Sequence, residues 1–132
     1  PTPRIAGRQG FHRCDAEGRA WLAEAPPGAA PPRIHFRAPA PRASLVLHLA
    51  AIRPDYPVGE LRLSLNGERL RAKVVPVLGG LFRAETSPAP LAAGVNTLTL
   101  VQPYAVPPCF DNPASTDARP LGLALADLTL LP

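Results

Sequence analysis

The chain has 132 residues, of which 46% are hydrophobic and 19 are proline. That size and apolarity allow a buried core without metals or multiple disulfides and exclude a disordered chain, while the prolines exclude long helices, since one internal proline costs a helix about 3 kcal/mol. Lysine and arginine total 14 against 10 acidic residues, a formal charge of +4, modest for a nucleic-acid binder, and no apolar run reaches the roughly 18–20 residues of a membrane span.

Residues 1–10 are polar and contain proline and glycine, so they read as an N-terminal arm; residues 11–132 read as one domain. Residues 19–25 (RAWLAEA) give a short first strand with Trp21 pointing inward, and residues 24–32 turn. Residues 33–37 (RIHFR) alternate, with Ile34 and Phe36 inward and Arg33, His35 and Arg37 outward. Residues 44–52 (SLVLHLAAI) send Leu45, Leu47 and Leu49 inward and Val46 and His48 to the other face. Residues 60–78 (ELRLSLNGERLRAKVVPVL) read as a hairpin about Asn66-Gly67, a dipeptide suited to the positive φ of a type I′ turn. Its inner face carries Leu61, Leu63, Leu65, Leu70, Ala72 and Val74, and its outer face the basic strip Arg62, Arg69, Arg71 and Lys73. Residues 80–86 form a further strand, and residues 91–93 allow one helical turn at most. Residues 95–102 (VNTLTLVQ) place Leu98 and Leu100 inward and Thr97 and Thr99 outward. After a long loop, residues 121–131 (LGLALADLTLL) put Leu121, Leu123 and Leu125 on one face. The phase then slips near Ala126-Asp127 before Leu128 and Leu130 resume, the pattern of a bulge. The hairpin's leucines are expected to pack against those of residues 44–52, 95–102 and 121–131. About eight short strands define an all-β antiparallel sandwich, a jelly roll in preference to an immunoglobulin-like sandwich.

Three pieces resemble the galactose-binding-domain-like jelly rolls that occur as carbohydrate-binding or accessory modules of bacterial polysaccharide-associated proteins. "LSLNGERL" is similar to their x-V-N-G-x-x-L hairpin, and "LAAGVNTLTL" (residues 91–100) to their l-x-x-G-x-N-x-L-x-L lead-in to a late strand. "GFHRCDAEGRAWL" (residues 10–22) and "STDARPLGLALADLTL" (residues 115–130) resemble an opening and an ending of such domains on bacterial glycosyltransferases. The resemblance implies glycan binding or an accessory role and carries no catalytic residues across. Sandwiches of this kind also serve as spike or fibre-base modules of phage-like particles. The likeness lies mainly in structural motifs, and fold does not fix function.

No Walker loop, G-x-S-x-G, H-E-x-x-H or Cys-x-x-Cys is present, so the reading is non-enzymatic and without cofactor. The loop of residues 102–120 (QPYAVPPCFDNPASTDARP) is the leading candidate site, because loops of that length without secondary structure are commonly functional. Tyr104 and Phe110 can stack on a sugar ring, and Asp111, Asn112, Asp117 and Arg119 can bind its hydroxyls. The structural alternative is that Asp117 and Arg119 form a local ion pair or cap the turn, and that Tyr104 and Phe110 plug the end of the sandwich. His35 and His48 could line an outer groove with Arg33 and Arg37, or simply sit half-exposed on the sheet. Asp15, Glu17 and Asp117 could hold Ca²⁺ through oxygen ligands, though no compact loop motif brings them together. In a jelly roll the first and last strands lie close, which allows a Cys14–Cys109 disulfide closing a long loop for about 4–5 kcal/mol; two free thiols are the alternative. The bond would place the chain outside the cell or on a particle surface, and free thiols in the cytoplasm. The basic strip could contact phosphate or acidic polysaccharide, or protect an edge strand from pairing. It ranks behind the long loop.

The sequence therefore predicts a module for bacterial surface polysaccharide, with no nucleic acid and no membrane span. A structural subunit of a larger protein assembly is the second expectation. A carboxylate-pair hydrolase using two of Asp55, Glu60, Asp111 and Asp117 is the third. No signal peptide is evident; a chain begun Met-Pro would lose its methionine, so Pro1 is expected as a natural start unless the chain is a mature form or a fragment.

Overall fold

Strands with one apolar side must bury that side, and two such sheets do so by stacking. The computed structural model describes residues 3–14, 18–24, 28–53, 55–77, 81–105 and 120–132. In chain order the described strands are β1 (Arg4–Gln9), β2 (Phe11–Cys14), β3 (Ala20–Leu22), β4 (Arg33–Arg37), β5 (Arg42–Ala51) and, after a 3₁₀ turn at Val58–Glu60, β6 (Arg62–Leu65). They continue as β7 (Glu68–Leu70), β8 (Ala72–Pro76), β9 (Leu81–Thr86), β10 (Ala89–Pro90), β11 (Val95–Val101) and β12 (Leu123–Leu131). Sheet A is ordered β1-β4-β11-β6-β7; sheet B is ordered β2-β3-β12-β5-β9-β8, with β10 added beside β5. All ladders are antiparallel. The fold is the all-β sandwich that the alternation predicts. No helix among the described residues is long and apolar enough to cross a membrane.

The core between the sheets joins Ile34, Phe36, Leu63, Leu65, Leu98 and Leu100 of sheet A to Leu22, Leu45, Leu47, Leu49, Leu123 and Leu130 of sheet B. Burying one such side chain fully contributes about 1.5–3 kcal/mol. Asn66 and Gly67 both take positive φ, 52° and 87°, and join β6 to β7 through a two-residue loop. The bulge expected near Ala126 is present: β12 changes register against β5 between Leu125 and Asp127.

Several expectations need correction. The second half of the hairpin is not one strand. It breaks at Arg71, leaving β7 in sheet A and β8 in sheet B. Two-residue alternation survives such a corner, so Leu70, Ala72 and Val74 look continuous in sequence. Residues 95–102 do not oppose the hairpin; β11 lies beside β6 in the same sheet. Trp21 does not point into the main core. It packs with Ala50, Leu121 and Ala124 on the outer side of sheet B. Leu121 accordingly parts from Leu123 and Leu125, because the regular strand begins only at Leu123. Residues 4–9, which read as part of an arm, pair with β4 as an exposed edge strand.

Two polar fastenings hold the rims. Asn96 is fully buried; its Oδ1 accepts from the Ala92 N–H (2.7 Å) and from Asn66 Nδ2 (2.9 Å), while its Nδ2 donates to the Ala92 carbonyl (3.2 Å). Asn66 Oδ1 in turn accepts from the Thr97 N–H at 2.8 Å. The two asparagines of the hairpin and lead-in motifs thus bond to each other. At another rim the Tyr56 hydroxyl donates to the Tyr104 carbonyl and accepts from the Tyr104 N–H at 3.2 Å. Gln102 Oε1 accepts from the Leu123 N–H at 3.1 Å beside it. Gly122 fits under this knot only because it lacks a side chain: a Cβ there would overlap the Tyr104 carbonyl oxygen.

Candidate functional site

Two of the seven expected glycan-binding residues fall within the described structure. Tyr104 follows β11 and belongs to the rim. Its ring meets Tyr56 edge-on, with centroids 4.6 Å apart, and Arg53 Cζ lies over the ring, 5.7 Å from its centroid. Burial pushes the Tyr56 hydroxyl up to about 12, the hydrogen bond to Tyr104 pulling the other way. Tyr104 is therefore engaged in closing the sandwich end. His35 sits on the outer face of sheet A, with Nδ1 2.9 Å from Thr97 Oγ1 and Nε2 3.2 Å from Gln9 Oε1. It is a satisfied histidine that ties three strands together.

Phe110, Asp111, Asn112, Asp117 and Arg119 lie outside the described residues, as do Cys109, Asp15 and Glu17. The Cys14 sulfur is exposed and lies 3.1 Å from Arg8 Nη2. Of the four hydrolase carboxylates, Asp55 and Glu60 are described and exposed; Asp111 and Asp117 are not described. Among the described residues no three His, Cys, Asp or Glu side chains come together as a metal site.

His35 and His48 do not share a groove. His48 projects from the outer face of sheet B, where its Nδ1 is 2.7 Å from Asp127 Oδ1. Beside it Arg83 pairs with Glu85 at 2.7 Å, and Lys73 stands opposite Glu85 across the β8–β9 ladder. The charges of this face neutralise one another locally.

Sheet A differs. Directly opposed residues of an antiparallel ladder share a face. The registers therefore align Arg69, Ser64, Thr99, Arg33 and Gln9 in one row across all five strands. Neighbouring rows hold Arg62 with Val101, Thr97 with His35, and Arg4 with Arg37 and Val95. Five arginines thus face outward among hydroxyls, and no carboxylate occupies an outward position in these rows. No ion pair holds Arg4, Arg37, Arg62 or Arg69 among the described residues.

At the β6–β7 edge this face becomes concave. One hollow of about 430 Å³ is lined by Gly59, Glu60, Leu61, Arg62, Arg69 and residues 101–103. A second, of about 600 Å³, shares Gly59, Leu61, Arg62 and Arg69 and continues past Leu70 to Arg71 and Ala72. A third, of about 420 Å³, shares residues 101–103 and is lined also by Ala23, Glu24, Pro31, Pro32 and Tyr104. Neighbouring hollows thus share lining residues from the hairpin corner to the Tyr104 rim. The structure thus brings Arg33, Arg37 and His35 onto one surface with Arg62 and Arg69, groups that stand apart in the sequence. Arg4, Ser64 and Thr99 join them, a grouping that only strand register could have found, and Gln102 borders the hollows while its Oε1 is held by the Leu123 N–H.

Comparison with known proteins finds no family model, no curated protein and no solved structure that matches this chain.

Proposed function

We propose that the chain is a non-enzymatic β-sandwich module that binds glycan, or holds a glycan-active partner at its polymer. The observation that carries this reading is the pair of adjoining hollows along the β6–β7 edge. They are lined by Arg62, Arg69, Arg71, Gln102 and the carboxylate Glu60, together with Leu61, Leu70, Val101 and Pro103. Guanidinium and amide groups donate to sugar oxygens, while apolar side chains receive the C–H faces of a ring, the mixture a small-molecule site requires. The resemblance to galactose-binding-like modules agrees with this use. Calorimetric titration against a panel of bacterial polysaccharides tests it. Saturable binding to at least one is expected, and no binding to any would end the reading.

A second reading, a structural subunit of a larger assembly, draws on one feature. β1 is an edge strand that pairs only with β4 among the described residues and whose Ile5 is half exposed, an edge on which another chain could add. Sedimentation of the purified protein at increasing concentration separates the two, since only the second requires association.

A further inference from the structure

We infer that the outer face of sheet A takes an acidic glycan, a sugar chain bearing carboxylates, entered at the Arg62–Arg69 corner. This rests on the glycan-module reading and adds the chemistry and the surface. Charge complementarity argues for it. Arg4, Arg33, Arg37, Arg62 and Arg69 share this face by register, and its outward strand positions hold no carboxylate; Glu60 of the 3₁₀ turn lines the corner beside Arg62 and Arg69, which leaves the cations in excess there. Arg4 stands directly opposite Arg37, both exposed. Like charges so placed destabilise a ladder, and a bound anion relieves the repulsion. The arrangement does not follow from arginine abundance alone, because the same chain pairs Arg83 with Glu85 and His48 with Asp127 on the opposite face.

Geometry supports an extended chain over a single ion. Arg69 and Arg33 lie in one row three strands apart, about 14 Å at about 4.8 Å per strand. Between them Ser64 and Thr99 present hydroxyls to hydroxyls of a sugar. The guanidinium fork matches a planar carboxylate in two parallel hydrogen bonds. Other polyanionic partners fit less well. Single-stranded nucleic acid needs aromatic platforms, and the outward positions of this face carry no Phe, Tyr or Trp. A protein interface needs bulky anchors at its centre, and here the outward apolar residues of the rows are Val95 and Val101.

The test is titration of the whole chain with polygalacturonate, neutral dextran, dextran sulfate and duplex DNA, each at low and physiological salt. Polygalacturonate is expected to bind tightest, more weakly as salt rises. Arg62→Ser with Arg69→Ser should weaken it at least tenfold, while Arg83→Ser with Glu85→Ser should leave it within twofold. Circular dichroism and thermal melting establish that both variants are folded. Failure of polygalacturonate to bind overturns the inference, as does unchanged affinity in the Arg62/Arg69 variant. Tighter binding of dextran sulfate or DNA also overturns it. If dextran alone binds, the glycan-module reading survives without this surface; if no glycan binds, both fall.

Discussion

On the outer face of sheet B, His48 meets Asp127, Arg83 meets Glu85, and Trp21 is packed among Ala50, Leu121 and Ala124. On the outer face of sheet A, the arginines meet hydroxyls, His35 and one another. Both faces obey the same two-residue alternation, and both belong to sheets that bury leucine on their inner sides. The difference lies in what the outward residues are committed to. On sheet B they are used within the fold. On sheet A, His35 is tied to Thr97 and Gln9, but Arg4, Arg37, Arg62 and Arg69 enter no ion pair among the described residues.

That contrast can be broken by mutation. The largest effect is expected from Trp21→Ala, which empties the outer cluster of sheet B. Removing a buried tryptophan costs about 3–5 kcal/mol, so the denaturant midpoint should fall steeply. A loss under about 1 kcal/mol would mean that this face is no more structural than the other. Next comes Asn96→Ala, beneath the hairpin end of sheet A. It removes three hydrogen bonds, two to the Ala92 backbone and one to Asn66, for about 2–3 kcal/mol. Its effect on stability should far exceed that of any outward residue on the same sheet, measured by the same unfolding curves.

Tyr56→Phe acts at the seam between the sheets and should cost about 1 kcal/mol near neutral pH through its lost hydrogen bonds to Tyr104. It also has a signature in pH. Burial raises the hydroxyl from its ordinary 10.0 to about 12. A raised folded value favours the fold fully below the unfolded value, and that contribution is lost as pH climbs through the folded one. Wild-type stability should therefore fall between about pH 10 and pH 12, and the phenylalanine variant should lack this part of the decline. An identical decline in both would remove Tyr56 as its cause. The smallest effect is expected from Arg62→Ser and Arg69→Ser, each within about 0.5 kcal/mol because both side chains are exposed. A loss well beyond that would make the sheet A arginines structural and erase the contrast.

The sequence made the sandwich legible wherever one strand face is buried and the other is not. Ile34 and Phe36, Leu45 to Leu49, and Leu98 and Leu100 all point as their alternation predicts. It misled where that condition fails. Ala20, Trp21 and Leu22 are all buried, so β3 shows no alternation from which to orient Trp21. The edge strand β1 buries little and reads as an arm. The corner at Arg71 keeps the parity of the side chains and leaves no trace in the pattern. The candidate surface was half legible. Its arginines are visible, but their assembly depends on β11 lying between β4 and β6, a register between segments some 30 residues apart or more. That is why the basic strip ranked behind a loop whose length and composition are evident at once.

If ligand binding belongs to the outer face of sheet A and not to that of sheet B, the affinity for polygalacturonate will separate two folded double variants, Arg62→Ser/Arg69→Ser and Arg83→Ser/Glu85→Ser, side by side with the wild type. At least a tenfold loss and a flatter salt dependence are expected in the first, with the second within twofold of wild type. Equal losses in both, or a loss confined to the second, would contradict that assignment.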